Sequence, residues 1–193
     1  LITANWDQGS PYNAMCPGSP PTLVGCVAVS MSQIMHYWKY PDAALGGYQS
    51  YNDQPGQSPS FGTISTTFGT PYDWYSMENS GAGEDTQKLL FEAGVSVHMN
   101  YDYDGSGSYI DWGSNDAQHA FKDHFDYESS SGGYPVFRNK SAYSDANWEN
   151  LIKNELDSGK PIIHNGCSDD GCHAWNLDGY DEDDYVHMNF GWG

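Results

Sequence analysis

Basic side chains are scarce in this chain. Its 193 residues include 7 Lys and Arg against 26 Asp and Glu, and the net charge at pH 7 is −19. Such an acidic surface disfavours nucleic acids and anionic membranes as partners, because both are negatively charged. The sequence also lacks an internal repeat and an apolar run long enough for a membrane-spanning helix. These features favour a secreted globular protein. We expect no signal peptide after Leu1, because a basic-then-apolar leader is missing.

Cys26 opens a segment with helical periodicity. Gly25 permits a sharp turn into this helix. Apolar residues then follow at the spacing of one buried helical face, at Val27, Met31, Ile34, Met35 and Trp38. A thiol on the first helical turn is expected to have a lowered pKa, since the N-terminal dipole and free N–H groups favour the nucleophilic thiolate. A small buried structural cysteine is the alternative.

The patterns along the chain run from helices to strands. Helical spacing covers residues 26–37 and 84–93, a segment capped by Ser114, and a segment from a cap at Ser144 or Asp145 to Gly159. Short strand patterns follow at 161–164, 174–177 and 185–190. Residues 42–83 are rich in Gly, Ser, Thr and Tyr and are interpreted as loops with short extended pieces. This order predicts an α+β fold in which a helical lobe faces an antiparallel β-sheet lobe.

A thiolate nucleophile needs a base and a group that orients the base. His173 is the candidate base, at the start of a strand that follows the Gly171 turn. The next strand ends near Asn189, and an antiparallel hairpin would bring the Asn189 amide oxygen to the imidazole N–H, as in the Cys–His–Asn arrangement of thiol proteases. The Cys26 N–H and the Gln8 side chain are the candidate donors to an oxyanion.

The other three cysteines form at most one disulfide among themselves if Cys26 is a free nucleophile. Cys167 and Cys172 enclose a short loop and are the favoured pair. Cys16 would then be left over, which is unusual for a secreted protein. A Cys16 partner outside the chain and a link from Cys16 to the 167–172 loop both stay open.

Two segments invite interpretation as metal sites. Residues 102–107 open like an EF-hand loop, but Gly113 stands where a bidentate Glu is required. Zinc bound by Cys167, Cys172 and His173 is disfavoured, because adjacent residues of a strand face opposite ways. We expect no metal and no organic cofactor, although an irregular calcium site stays open. Gly105 and Ser106 are interpreted as the border of a substrate cleft, with a plain surface loop as the alternative.

Five segments resemble the streptopain family of secreted bacterial cysteine peptidases, which have a papain-like fold. They are residues 7–13, 25–41, 161–163, 173–179 and 187–193. Weaker similarity covers 72–74, 94–97 and 101–108. The most specific parts are the Gly-Cys-Val-Ala helix start and the His-Ala…Asp-Gly…Asn-x-Gly-Trp-Gly hairpin. The match runs in order along nearly the whole chain.

The resemblance implies a role for each matching residue. The catalytic set comprises the nucleophile Cys26, the general base His173, the oxyanion-hole glutamine Gln8 and the terminal-motif asparagine Asn189. Phe190 stands where the family often has Trp, so an indole N–H is missing there. The expected substrate-binding residues are Gly25, Asn165, Cys172, Gly105, Ser106 and Trp192, the last as a wall of the active site.

The resemblance also implies one papain-like peptidase domain over residues 1–193. Its lobes would cover about 1–100, mainly helical, and about 101–193, mainly β, with the active-site cleft between them. In similar proteins further strands follow the position of Gly193, so part of the sheet lobe is expected outside this chain. The implied enzyme is secreted as a zymogen and is inhibited by its own propeptide. Its polypeptide substrate would carry an apolar residue two places before the scissile position.

The predicted function is therefore that of a secreted cysteine endopeptidase without nucleic-acid or membrane partners. Two alternatives keep the same fold. One is a catalytically idle binding or adhesin-like module, which the intact Cys26 and His173 disfavour. The other is a peptidoglycan amidase, which would need a deep cleft selective for D-amino acids.

Overall fold

The computed structural model describes residues 1–54, 58–111, 113–127 and 135–193. Its helices are α1 (Cys26–Trp38), α2 (Glu84–Ser96), α3 (Ala117–Asp123) and α4 (Asp145–Asp157), with a 3₁₀ turn at Lys140–Ala142. Its strands are β1 (Gly47–Asp53), β2 (Gly62–Phe68), β3 (Ile162–Ser168), β4 (Gly171–Tyr180) and β5 (Val186–Asn189). The first two form an antiparallel hairpin, and the last three form an antiparallel sheet in the order β3-β4-β5. Within the described ranges, no helix has the length and apolar character to cross a membrane.

Helix α1 lies at the centre of the molecule. Every residue from Val27 to His36 is buried, because α2 packs against one side of α1 and β4 against another. A helix covered on all sides in this way belongs to a core rather than to a surface. Trp38, predicted in the buried stripe, is 47% exposed because it lies in the last turn, where the helix ends at a left-handed Lys39.

The helical side of the molecule departs from the sequence prediction in two places. α3 begins at Ala117 because the Asp116 carboxylate accepts from the His119 N–H at 2.9 Å, whereas Ser114 was the predicted cap. The β1–β2 hairpin lies in a region interpreted as loops with short extended pieces, and here these pieces pair as two seven-residue strands that pack against α2. Only a few of its side chains are buried, Ile64 and Phe68 among them, so no clear alternation marks these strands in the sequence.

The N-terminal segment links the sheet to the start of α1. The Ile2 N–H donates to Asp178 Oδ2 on β4 at 3.0 Å, and Trp6 is fully buried. The chain then runs to Gln8, whose carbonyl accepts from the Val24 N–H at 2.9 Å. Residues 1–8 therefore contact both β4 and the segment that leads into α1, and these two parts of the molecule meet at Cys26.

Candidate active site

Gly25 determines where the Cys26 thiol lies. It has φ 95° and precedes the first residue of α1. A Cβ at this position would lie 2.6 Å from Met99 Sδ and 3.1 Å from the Ser106 carbonyl oxygen. A side chain would therefore be both strained and obstructed. α1 has neither a capping side chain nor an acidic residue in its first turn, so its first N–H groups remain available to an anionic ligand.

The Gly25→Ala variant is expected to lose about 1–3 kcal/mol of unfolding free energy, because alanine disfavours this backbone conformation. Its methyl group would also push against Met99 and move the start of α1. Gly105→Ala is the matched control, since a Cβ there meets no atom within 4 Å. We expect it to change stability by less than about 0.5 kcal/mol. Urea unfolding measures both values, and equal stabilities would refute the steric role of Gly25.

The Cys26 thiol is half-buried and lies against the backbone N–H groups of Ala174, Val27 and Cys26 itself. Burial raises the pKa of the thiol, and the three N–H groups offset this rise only in part. The N–H groups at the helix start do lower the pKa of the thiol, but the predicted net lowering is wrong, because desolvation is the larger effect. A thiolate at neutral pH requires a neighbouring base that accepts the proton.

His173 lies on β4 next to Ala174, the strand residue whose N–H faces the thiol. The imidazole Nε2 is 2.9 Å from the Phe190 carbonyl oxygen. A carbonyl can only accept, so we assign the proton to Nε2, which leaves a lone pair on Nδ1. In this tautomer the neutral imidazole can take a proton at Nδ1, as a general base requires.

Asn189 does not orient His173 in the predicted way. It lies opposite Asn176 in the β4–β5 register, and His173 is three residues before Asn176 on β4. Because side chains alternate along a strand, Asn189 and His173 project from opposite faces of the sheet. The Phe190 carbonyl is the group that orients the imidazole.

The Asn189 amide instead shapes the turn that carries this carbonyl. Its Oδ1 accepts from the Gly191 N–H at 3.1 Å and from Gln33 Nε2 at 3.2 Å. Its Nδ2 donates to the Ala4 carbonyl at 2.9 Å. These bonds hold Asn189 and Gly191, the residues on either side of Phe190, whose carbonyl is bonded to the His173 imidazole.

Aromatic rings surround the His173 imidazole. The Trp192 ring centroid lies 4.9 Å from that of His173, and Trp192 is 63% exposed. The rings of Phe190 and Trp175 lie at 6.0 and 6.1 Å and stack on the imidazole. Phe190 thus keeps an aromatic cover over the site although it lacks the indole N–H.

Gln8 lies beside the start of α1. The hydrogen bond between its carbonyl and the Val24 N–H brings it next to the residues that lead into Cys26. The Gln8 residue is half-buried, as a group at the edge of a cleft would be. The donation of its side-chain amide to an oxyanion stays a prediction.

The 101–108 loop is fastened to the same segment through Ser106. The Ser106 hydroxyl donates to the Leu23 carbonyl at 2.6 Å and accepts from the Asp102 N–H at 2.9 Å. Ser106 is buried, so its hydroxyl holds the loop in place and does not face a substrate, contrary to the prediction. Gly105 is exposed beside it, with open space where a side chain would lie.

The Cys167–Cys172 disulfide joins β3 to β4, as the favoured pairing predicted. Cys16 and Cys26 are free thiols, which excludes the alternative link from Cys16 to this loop. The disulfide also removes both sulfurs as zinc ligands. In the described part of the chain, no three His, Cys, Asp or Glu side chains are grouped as metal ligands would be.

Thiol titration of the denatured protein is expected to detect two free thiols without reductant and four after reduction. The two are Cys16 and Cys26, since Cys167 and Cys172 are bonded to each other. In the folded protein only Cys26 should react readily, because Cys16 is buried and burial raises its pKa to about 12. Four free thiols without reductant would contradict the disulfide.

Asn165 and Cys172 border the site from the β3–β4 hairpin. Asn165 is exposed and lies opposite Ala174 in the register, while the Ala174 N–H faces the Cys26 thiol. Cys172 is exposed and immediately precedes His173. Asn165 is thus next to the site across the strand pair and Cys172 is next to it along the chain, and their contact with a substrate stays a prediction.

The sequence analysis did not identify the buried amides and the main-chain groups that are linked by hydrogen bonds to residues of the site. Gln33 and Asn176 are both fully buried and hydrogen-bonded to each other. Gln33 did carry a signal, because it is a polar residue in a helix whose other inward positions are mostly apolar. The Ala174 N–H and the Phe190 carbonyl are main-chain groups, and their roles depend on strand register rather than on residue type.

Known proteins are similar in sequence to this chain over nearly its full length. The thiol protease/hemagglutinin PrtT of Porphyromonas gingivalis is 32% identical over 97% of the chain and 22% of that protein. Streptopain of Streptococcus pyogenes is 32% identical over 98% of the chain and 51% of that protein. The chain thus spans about half, or less, of the length of these relatives.

Solved structures give the same result for the fold. Active wild-type interpain A, a cysteine protease of Prevotella intermedia, superimposes with a TM-score of 0.83 at 29% identity, over 100% of this chain and 80% of that one. A prointerpain A fragment from the same organism gives a TM-score of 0.83 and 29% identity, over 100% and 61%. The predicted α+β, papain-like fold is confirmed. Residues 6–193 match the model of the Peptidase C10 family, and the chain belongs to that family.

Proposed function

We propose that this chain is a cysteine endopeptidase with Cys26 as nucleophile and His173 as general base. The observation that carries the proposal is the contact of the Cys26 thiol with the Ala174 N–H, which sets the thiol against the strand residue next to His173. The tautomer assigned to His173, with a lone pair on Nδ1, suits proton transfer from a thiol. The relatives are named as thiol or cysteine proteases, which supports the same activity here.

The reaction follows from these groups. The Cys26 thiol gives its proton to His173 Nδ1, and the thiolate attacks the scissile carbonyl carbon, whose oxygen becomes an oxyanion. The Cys26 N–H and the Gln8 amide donate hydrogen bonds to this oxyanion. The imidazolium then protonates the leaving amine, the C–N bond breaks and an acyl-enzyme remains. Water attacks the thioester after His173 removes its proton, and the acid product leaves as the Cys26 thiol forms again.

A polypeptide would lie between the Trp192 wall and the loops that border Cys26. Gly105, Asn165 and Cys172 are exposed around the site and leave room for substrate on either side of the scissile bond. A preference for an apolar residue two places before that bond comes only from the resemblance to streptopain. We place one peptidase domain over residues 1–193, with the two lobes assigned from the sequence.

We further propose that the enzyme is secreted as a zymogen whose propeptide blocks the cleft. The Cys167–Cys172 disulfide supports an oxidising, extracellular compartment. The net charge of −19 disfavours nucleic acid and anionic membranes as partners. A pro-form of interpain A is among the similar structures, which supports a propeptide.

Cleavage of an unfolded protein and of peptidoglycan fragments tests the function. The reduced protein is incubated with denatured casein and, separately, with cross-linked muropeptides, and the products are identified by mass spectrometry. The proposal expects new peptide termini inside the casein sequence and no change in the muropeptides. Cleavage of the muropeptides without cleavage of casein would favour the amidase. Cleavage of neither substrate would favour the catalytically idle binding module.

A further inference from the structure

A buried amide network lies directly behind the proposed catalytic pair. Gln33 Oε1 accepts from Asn176 Nδ2 at 2.8 Å, and Gln33 Nε2 donates to Asn189 Oδ1 at 3.2 Å and to the Ala4 carbonyl at 3.1 Å. Asn176 also donates to the Ser30 carbonyl at 3.1 Å. Gln33 and Asn176 are fully buried, where each lost hydrogen bond leaves a polar group without water to replace it.

The network joins the two structural elements that carry the reacting groups. Gln33 lies two helical turns after Cys26, so it lies on the same side of α1 as the nucleophile. Asn176 lies three residues after His173 on β4, and Asn189 ends β5 just before Phe190. A single glutamine side chain thus bonds to the strand of the base and to the turn whose carbonyl holds that base.

We propose that Gln33 is a positioning residue that sets the Phe190 carbonyl, and through it the His173 imidazole, against Cys26. The inference rests on the proposed peptidase function. Three contacts connect Gln33 to the base. Gln33 is bonded to the Asn189 amide, and the same amide accepts from the Gly191 N–H. Phe190 lies between these two residues, and its carbonyl is bonded to His173 Nε2. Gln33 does not touch the substrate in this scheme, since it is fully buried.

A glutamine meets this requirement because it offers an acceptor and two donors on one flexible stem. Its acceptor is used by Asn176 and its donors by Asn189 and Ala4. A glutamate would keep the acceptor and lose both donors. A methionine would keep the length and apolar stem and lose every hydrogen bond, while leaving Asn176 bonded to Ser30 and Asn189 bonded to Ala4 and Gly191.

The test compares Gln33→Met and Gln33→Glu with the wild type in peptide hydrolysis and in alkylation of Cys26 by iodoacetamide across pH. We expect kcat to fall by about 10- to 100-fold, with KM changed less than about twofold, because a displaced base slows the chemistry without altering the cleft. The alkylation curve should move to higher pH in both variants, since the thiol would transfer its proton less readily. A purely structural role would lower the melting temperature and leave the curve of the folded protein in place.

A double mutant tests whether Gln33 acts on His173 through Asn189. Asn189→Ala alone should retain measurable activity and resemble Gln33→Met, and the two changes together should cost little more than either alone. Gln87→Glu is the matched control, because this amide, on α2, also donates to two oxygens, the main-chain carbonyls of Pro11 and Ala82. Its kcat and alkylation curve should equal those of the wild type.

The outcomes separate this inference from the function on which it rests. A wild type that cleaves no peptide contradicts the proposed function. An active wild type whose folded Gln33 variants keep kcat and the alkylation curve contradicts the positioning role alone. Failure of both Gln33 variants to fold, with Gln87→Glu folded, also contradicts it, because the network would then be a general support of the fold.

Discussion

The Cys26→Ala variant is expected to hydrolyse peptides on the order of 10⁶-fold more slowly than the wild type. Alanine removes the sulfur that forms the acyl-enzyme, and no other described cysteine can replace it. Cys16 is buried, and Cys167 and Cys172 are joined in a disulfide. The measurement is the initial rate of cleavage of an internally quenched peptide, with unfolding curves to show that the variant is folded.

Cys16→Ala is the matched control for this loss. It removes the other free thiol, which burial keeps protonated and which no substrate can reach. We expect its activity to stay within about twofold of the wild type, with a small loss of stability from the missing sulfur. Activity that disappears in Cys16→Ala and persists in Cys26→Ala would overturn the assignment of the nucleophile.

The His173→Ala variant is expected to lose about 10²- to 10⁴-fold in kcat, the usual contribution of a general acid–base group. The pH dependence of Cys26 alkylation is the sharper readout. Burial raises the pKa of the thiol, so without the imidazole the thiolate should form only at a pH above the range in which a free thiol ionises. In the wild type, proton transfer to His173 supplies thiolate near neutral pH, and alkylation should be fast there.

His187→Ala provides the comparison for the His173 variant. His187 lies on β5, is 70% exposed at its side chain, and pairs through Nδ1 with Asp178 Oδ1 at 2.6 Å. Its imidazole is bonded to Asp178 rather than to the Cys26 thiol, so its removal should leave the alkylation curve unchanged. If the curve moves equally in both variants, the shift reflects a general loss of charge rather than a base beside the thiol.

The sequence predicted the fold best in the segments where a helical or strand pattern also carries a candidate catalytic residue. The apolar spacing after Cys26 correctly indicated a buried helix that begins at the thiol. The turn signals around Gly171 and Asp181–Asp184 correctly indicated an antiparallel arrangement that carries His173 and Asn189. The β1–β2 hairpin could not be foreseen in the same way, because most of its side chains are polar and partly exposed.

The spacing of residues in the sequence could not predict which face of the sheet Asn189 would project from. A shift of one residue in register would place its amide on the other sheet face, beside His173. The observed pairing of Asn189 with Asn176 directs it toward α1 and Gln33 instead. The sequence thus identified a residue of the site and assigned it the wrong hydrogen-bond partner.

Burial explains the two other corrections at the candidate active site. The first turn of a helix favours a thiolate, but the desolvation of Cys26 has the larger effect on its pKa. Ser106 looked like an exposed loop hydroxyl, and the structure uses it to bind the Leu23 carbonyl. How much water reaches each group depends on packing between distant segments, which composition and spacing do not encode.

Labelling with an epoxide inhibitor of papain-like enzymes tests the central claim most directly. The protein is treated with the epoxide at neutral pH, digested and mapped by mass spectrometry while peptide hydrolysis is followed in parallel. We expect one adduct per chain, on Cys26, with activity lost in proportion to labelling and no adduct in the His173→Ala variant at that pH. An adduct on Cys16, or full activity in fully labelled protein, would contradict the account.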